Sequence, residues 1–336
     1  MASRFPRRSV DNCVDVVHVS SVIRHLKDHL SKRCPHVKFI DVPVGCSQEV
    51  EMLQEAKVII TDPNTAPCHL PTLTKLKWMQ LTWAGIDAVT KHFTTEQKQS
   101  LLLTRFGGVF GPAMAQYVIG QIISWERNFP KMWTQQQECK WDREWQHTDC
   151  YHLMPQLSIG ILGLGDIGKA VAKACKALGM KVWGIGRRER SADVPSFVDH
   201  YTTASSLPEV LQSCNYICNI LPSTPATKYL LSGNVLESCK DNHPVLINVG
   251  RGDVIDEKSL VHALNQGWIS GAILDVFEVE PLPKESVLWN MQQVVITPHV
   301  SALSFPHEVA ELFAENLSLY ESGKKLQFLV DLEQGY

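Results

Sequence analysis

Leu157-Ser158-Ile159-Gly160-Ile161-Leu162-Gly163-Leu164-Gly165-Asp166-Ile167-Gly168 decides how this chain is read. The first half is a largely apolar run of strand length, and the second half is Gly-x-Gly-x-x-Gly. Ala170, Val171, Ala174 and Leu178 follow with the spacing of an amphipathic helix. A glycine turn between a buried strand and a helix is the setting in which this motif carries meaning. The first glycine allows the tight turn, the second lets backbone N–H groups approach a pyrophosphate, and the third lets helix and strand pack closely. Gly163, Gly165 and Gly168, with Asp166 and Ile167, are therefore expected to cradle a dinucleotide.

Downstream of the turn, strands are expected at 181–185, 216–220, 245–249, 272–276 and 294–296. Upstream, strands at 15–19, 37–40, 58–60 and 101–103 alternate with helices at 20–32, 47–56 and near 70–76. Such alternation predicts parallel sheets flanked by helices. A long helix from about 113 to 137 separates the two series, with Pro130 expected to kink or interrupt it. A last amphipathic helix at 305–322 lies beyond the second series and is expected to return to the first domain. The fold class is thus α/β, with two Rossmann-like domains built on parallel sheets. One is a flavodoxin-like substrate domain, 1–110 with 304–336. The other is a dinucleotide-binding domain, 111–303, including an arm at about 113–152.

The chain has 336 residues, 44% hydrophobic and 20% charged, which suits two globular domains. A net charge of -3 offers no basic footprint for nucleic acid. No apolar run approaches a membrane span, and no secretory signal opens the chain. Arg4, Arg7 and Arg8 hint at a mitochondrial presequence, but Pro6 and the shortness of the segment favour a cytoplasmic protein. Ten cysteines lack Cys-x-x-Cys pairs and read as free thiols, with Cys214 and Cys218 in a core strand. No metal site is expected. Asn316-Leu317-Ser318 is a formal sequon inside a helical pattern.

The strand at 181–185 runs into Gly186-Arg187-Arg188. An NAD binder is expected to place a carboxylate here, about 20 residues after the glycines, to hold the ribose. Guanidinium groups instead suit the 2′-phosphate of NADP, so NADP(H) is expected over NAD(H). Arg187 is the stronger candidate, and Glu189 works against the reading. Arg251, Glu280 and His299 each follow a predicted strand, and in open α/β sheets ligands bind beyond the carboxyl ends of strands. The trio suits reversible reduction of a 2-keto acid. Arginine grips the substrate carboxylate and polarises the keto oxygen, while histidine moves a proton on and off that oxygen. A carboxylate beside the histidine raises its pKa and orients it.

Gly163–Gly168, Asn248-Val249-Gly250-Arg251-Gly252, the stretch from Leu274 to Pro283 and Thr297-Pro298-His299 resemble the signatures of D-isomer-specific 2-hydroxyacid dehydrogenases. Trp83-Ala84-Gly85-Ile86-Asp87 and Leu103–Met114 extend the resemblance, which covers nearly the whole chain. The Glu280-Pro281-Leu282-Pro283 segment and Arg187-Arg188 look most like the glyoxylate/hydroxypyruvate reductase branch. The resemblance implies that Arg251, Glu280 and His299 are catalytic. It further implies that Ala84, Gly85 and Ile86 hold the substrate carboxylate, and that Leu221, Pro222 and Val249 contact the cofactor through their backbones. Asp275 matches the residue that fixes the nicotinamide carboxamide. Glu278 competes with Glu280, which is preferred because it directly precedes Pro281. Gln116 departs from the glutamate of many relatives. Trp133, Trp141 and Trp145 fall where the family has a dimerisation arm, and Trp141 matches the tryptophan that reaches the partner's active site in the reductase branch. Ordinary packing of a helical hairpin remains the alternative.

The expected molecule is a homodimeric enzyme that reduces glyoxylate- or hydroxypyruvate-like acids to D-2-hydroxy acids. Two rivals share the fold: a dinucleotide-sensing corepressor, and an NAD-dependent phosphoglycerate dehydrogenase. Pocket width is expected to depend on Leu53, Trp83, Leu303 and Phe305.

Overall fold

Two parallel sheets organise the chain in a computed structural model that describes residues 13–46, 48–66, 70–90, 92–142, 151–187 and 194–332. Arg4, Arg7, Arg8, Trp145, Arg188 and Glu189 lie outside the described residues. The chain divides into Met1–Val109 with Ser304–Tyr336, and Phe110–Leu303. Among the described residues no helix is long and apolar enough to cross a membrane.

The first unit carries β1 (Val16–Ser20), β2 (Lys38–Asp41), β3 (Val58–Thr61), β4 (Trp78–Leu81) and β5 (Leu102–Thr104). Their order is β2-β1-β3-β4-β5, all parallel, which is the flavodoxin-like order. Helices α1 (Leu26–Arg33), α2 (Glu49–Leu53), α3 (Asp87–Thr90) and α4 (Thr95–Ser100) belong to this unit, as does the terminal helix Pro306–Glu321. Trp78 is fully buried and stacks on Phe313 and Tyr320 of the terminal helix, at ring-centroid distances of 5.0 and 5.2 Å. Asn316 of the same helix is buried, donating to Gln80 and accepting from the Gln327 N–H, so its amide is engaged inside the unit.

Three local expectations fail here for physical reasons. The helix expected at 20–32 starts only at Leu26. The buried Asp62 carboxylate accepts from Ser21 Oγ and Val22 N–H, which keeps the chain out of the helix, and His25 takes a left-handed φ of 62°. The stretch near 70–76 forms a single 3-10 turn at Leu70–Thr72. Leu53, expected to shape a pocket, is packed into the core of the unit.

The second unit opens with α5 (Phe110–Glu126) and α6 (Phe129–Gln137). The expected long helix breaks at Asn128, which adopts φ 49°. Pro130 stands in the first turn of the next helix, where its missing N–H costs nothing. Strands β6 (Ser158–Leu162), β7 (Lys181–Gly186), β8 (His200–Thr203), β9 (Tyr216–Asn219), β10 (Val245–Asn248), β11 (Gly271–Leu274) and β12 (Val294–Ile296) follow. Their order is β12-β11-β10-β9-β6-β7-β8, all parallel. The order reverses between β6 and β9, so the crevice of a doubly wound sheet lies beyond their carboxyl ends. Helix α7 (Asp166–Ala177) packs with α5 over one face, through Val118, Ile122, Val171 and Cys175. Helices α8 (Leu207–Ser213) and α9 (Glu257–Asn265) cover the other, through Val210, Leu211, Leu260 and Ala263. Cys214 and Cys218 are core residues, and burial pushes the Cys214 thiol up to about 12.

Candidate active site

Strand β6 is followed by Gly163, whose φ of 104° is open to glycine and strained for other residues. A Cβ on Gly168 would stand 2.1 Å from the Gly163 carbonyl oxygen, so helix α7 can sit this close to the turn only with glycine there. Gly165 caps α7 in an extended conformation without any side-chain cap. A Cβ on Gly165 would meet nothing within 4 Å. The turn therefore presents an uncapped helix N-terminus, whose N–H groups and partial positive charge suit an anion.

The loops after β9, β10 and β11 are locked together beside this turn. Asn219 Nδ2 donates to Asn248 Oδ1 at 2.9 Å, and both side chains are fully buried. Asn219 also accepts from Leu221 N–H, while Asn248 Nδ2 donates to the Arg251 carbonyl at 3.1 Å. A Cβ on Gly250 would lie 2.8 Å from the Leu221 oxygen, and one on Gly252 only 1.9 Å from the Phe277 carbonyl carbon. The two glycines flanking Arg251 let three loops close around it. Neither asparagine was a sequence candidate; a polar residue ending an apolar strand was the available signal.

The loops after β11 and β12 carry the acid and the imidazole. His299 Nδ1 lies 2.8 Å from Glu280 Oε2, and the other oxygen of Glu280 accepts from Phe277 N–H at 2.9 Å. Burial pushes the Glu280 carboxyl up, but the hydrogen bonds from His299 and Phe277 and the charges of His299 and Arg251 outweigh it and hold the pKa below the ordinary value. An ionised Glu280 can only accept, so Nδ1 carries a proton and Nε2 is left to face a ligand. The hydrogen bond to Glu280 raises the His299 pKa. Burial opposes this, the Glu280 and Asp275 carboxylates reinforce it, and Arg251 lowers it. Arg251, Glu280 and His299 are thus within electrostatic range of one another. Glu278 is engaged elsewhere, accepting from the Tyr229 hydroxyl. Asp275 is fully buried and accepts from Thr297 Oγ1, Val300 N–H and Ser301 N–H.

Arg187 is exposed immediately beyond β7, the strand next to the glycine turn. Arg188 lies outside the described residues. In the first unit Ala84 and Gly85 are half-buried after β4, and the Ile86 side chain is buried. Trp133 and Trp141 are exposed, at 66% and 86%. Leu303 and Phe305 are about half exposed.

A family model for the NAD binding domain of D-isomer specific 2-hydroxyacid dehydrogenases matches residues 119–301. The chain belongs to that family. It is an NAD(P)-dependent oxidoreductase of the 2-hydroxyacid dehydrogenase type. A family protein of Aeromonas salmonicida is 31% identical, over 95% of this chain and 100% of its own, with a TM-score of 0.85. An NADPH-dependent glyoxylate/hydroxypyruvate reductase of Sinorhizobium meliloti, solved with NADP and sulfate, is 26% identical over 96% of this chain and 100% of its own, with a TM-score of 0.83. A family member of Xanthobacter autotrophicus, solved with NADPH and MES, has the same identity and coverages with a TM-score of 0.82.

The dehydrogenase fits its dinucleotide on its own geometry. The uncapped start of α7 and the open space before Gly165 suit a pyrophosphate, and the ends of β9, β10 and β11 lie on the other side of the switch point.

Proposed function

We propose that the dehydrogenase reduces small 2-keto acids of the glyoxylate and hydroxypyruvate type to D-2-hydroxy acids, with NADP(H) preferred. The observation that carries this reading is the 2.8 Å pair of His299 and Glu280 within electrostatic range of Arg251. Arg251 holds the substrate carboxylate and draws charge from the keto oxygen. His299, protonated, gives its Nε2 proton to that oxygen, and Glu280 steadies the resulting imidazole in one orientation and tautomer. In the oxidative direction neutral His299 takes the proton back. The amides of Ala84, Gly85 and Ile86 serve as further donors to the substrate carboxylate. Bound NADP(H) supplies the reducing equivalent for the keto carbon. The backbones of Gly163, Gly165, Asp166, Ile167, Gly168, Leu221, Pro222 and Val249 hold it, with Asp275 at the carboxamide.

Preference for NADP(H) rests on Arg187, which follows β7 where an NAD binder is expected to carry a carboxylate. The Sinorhizobium meliloti relative, described as NADPH-dependent, supports it. Trp133 and Trp141 expose aromatic surface on and beyond α6, which supports a homodimer arm in which Trp141 approaches the partner's site.

Turnover of a panel of 2-keto acids with NADPH and NADH, in wild type, His299→Ala and Arg187→Ala, tests these roles together. Glyoxylate and hydroxypyruvate are expected to lead the panel. Loss of His299 is expected to cost a factor of about 100 or more in kcat. Arg187→Ala is expected to narrow the cofactor preference about tenfold or more by raising KM for NADPH alone. Wild-type turnover by His299→Ala would refute the mechanism, and an NADH preference in wild type would refute the role of Arg187.

A further inference from the structure

We propose that Tyr117 is a positioning residue for the proton-transfer step, holding the His299 loop through a one-way chain of hydroxyl hydrogen bonds that runs Tyr117 to Thr297 to Asp275. The proposal rests on His299 being the acid–base group.

The loop from Thr297 to Ser301 needs a clamp. His299 adopts a left-handed φ of 53°, a conformation that disfavours a residue with a Cβ and persists where its surroundings impose it. Asp275 imposes it. Its main-chain oxygen accepts from His299 N–H at 2.9 Å, and its two carboxylate oxygens accept from Val300 and Ser301 N–H, each at 2.9 Å. Thr297 Oγ1 adds a further hydrogen bond to Asp275 Oδ1 at 2.6 Å.

Tyr117 OH lies 2.6 Å from the same Thr297 hydroxyl. A threonine hydroxyl has one proton. If Asp275, the acceptor-only partner, receives it, Tyr117 must be the donor to Thr297. Burial pushes the Tyr117 phenol up to about 12; its hydrogen-bonding contacts with Thr297 and Gln121 oppose the rise, and the Asp275 charge and Cys218 add to it. Tyr117 therefore remains a donor throughout the working range. The chain has a fixed polarity, and its far end is the residue that both presents His299 and adds its charge to those of Glu280 and Arg251 around the imidazole. The phenol itself touches no reacting atom, so Tyr117 acts through Thr297 and Asp275.

Tyr117→Phe keeps the ring and removes the donor. The expected result is a fall of about five- to tenfold in kcat for keto-acid reduction with KM nearly unchanged. His299, titrated by NMR and assigned by comparison with His299→Gln, is expected to move down towards the ordinary imidazole range as its contact with Glu280 loosens. Thr297→Val is expected to reproduce both changes, Thr297→Ser to restore them, and the Tyr117→Phe/Thr297→Val double variant to be no worse than Thr297→Val. If Tyr117→Phe lowers only the melting temperature, leaving turnover and the titration as in wild type, the assignment is wrong. It is equally wrong if the two single effects add. The functional reading fails separately, if His299→Gln turns over like wild type. An unmoved titration in Tyr117→Phe beside an inactive His299→Gln sinks the positioning role alone.

Discussion

Asn219 and Asn248 join through a 2.9 Å side-chain hydrogen bond in a place closed to water, and each also holds the main chain of its own loop. Replacing Asn248 by Ala strips the acceptor from Asn219 and the partners from Gly250 N–H and the Arg251 carbonyl. A buried polar group left unpaired costs about 1–3 kcal/mol. Urea unfolding of Asn248→Ala is expected to show a loss in that range, and kcat should drop with it because Arg251 is no longer fixed. Unchanged stability would mean that water or a repacked neighbour replaces the amide.

The two outer glycines and the middle one of the turn should respond differently to a methyl group. Gly168→Ala drives a Cβ into the Gly163 carbonyl and should destabilise the protein by several kcal/mol, read as a large fall in melting temperature. Gly165→Ala meets no atom within 4 Å and already has a φ of -81°, so the melting temperature should hold. Its methyl would stand in front of the helix end, and KM for the dinucleotide should rise at least tenfold. Tight dinucleotide binding by Gly165→Ala would remove the pyrophosphate from this turn.

Glu278 and Glu280 lie two residues apart but have different partners, Tyr229 and His299. Glu280→Gln should cut kcat for reduction by about tenfold or more, and Glu278→Gln should stay within about threefold of wild type. Equal losses in both variants would mean that the two carboxylates exchange roles in solution.

The same pair sets a pH dependence. His299 has a raised pKa, so its contribution to stability is complete below the unfolded value near 6.5 and fades as pH rises through the folded value. Glu280 has a lowered pKa, so its contribution is complete above the unfolded value near 4.5 and fades as pH falls through the folded one. The gap in melting temperature between wild type and Glu280→Gln should therefore be widest from about pH 4.5 to 6.5. It should be modest and shrink in salt, since the His299 side chain is 52% exposed. Reduction should lose rate on the alkaline side as His299 deprotonates, and Glu280→Gln should bring that limb to lower pH. A gap that widens towards pH 9 would contradict the pairing.

Most of the fold was legible because its strands are short apolar runs separated by glycine and polar turns, with the turn at 163–168 marking the switch between strand and helix. Strand β4 escaped because Gln80 interrupts its apolar pattern; only the structure shows that Gln80 is satisfied by the Leu81 carbonyl, Thr104 and Asn316. Strand β8 is a half-buried edge of His, Tyr and Thr, and carries no strong signal. The start of α1 cannot be read from local sequence because its competitor, Asp62, lies about forty residues away. In the site, Arg251, Glu280 and His299 were visible as polar residues ending apolar strands. Glu280 is preferred over Glu278 from the adjacent Pro281 alone, and the structure adds that the two carboxylates have separate partners, Tyr229 for Glu278 and His299 for Glu280. Tyr117 could not be found at all, because its hydroxyl meets Thr297 across 180 residues of chain.

The aromatic stack on Trp78 bears on how the molecule is made. Its partners, Phe313 and Tyr320, stand more than two hundred residues later in the sequence. A ribosome adding about 5–20 residues each second needs some ten seconds or more to supply them. Through that interval the five-stranded sheet must wait with Trp78 uncovered, while the seven-stranded unit, whose residues are contiguous, can close as it emerges. The nucleotide half of the enzyme would thus be finished first, and the nascent first half is the part most in need of a chaperone.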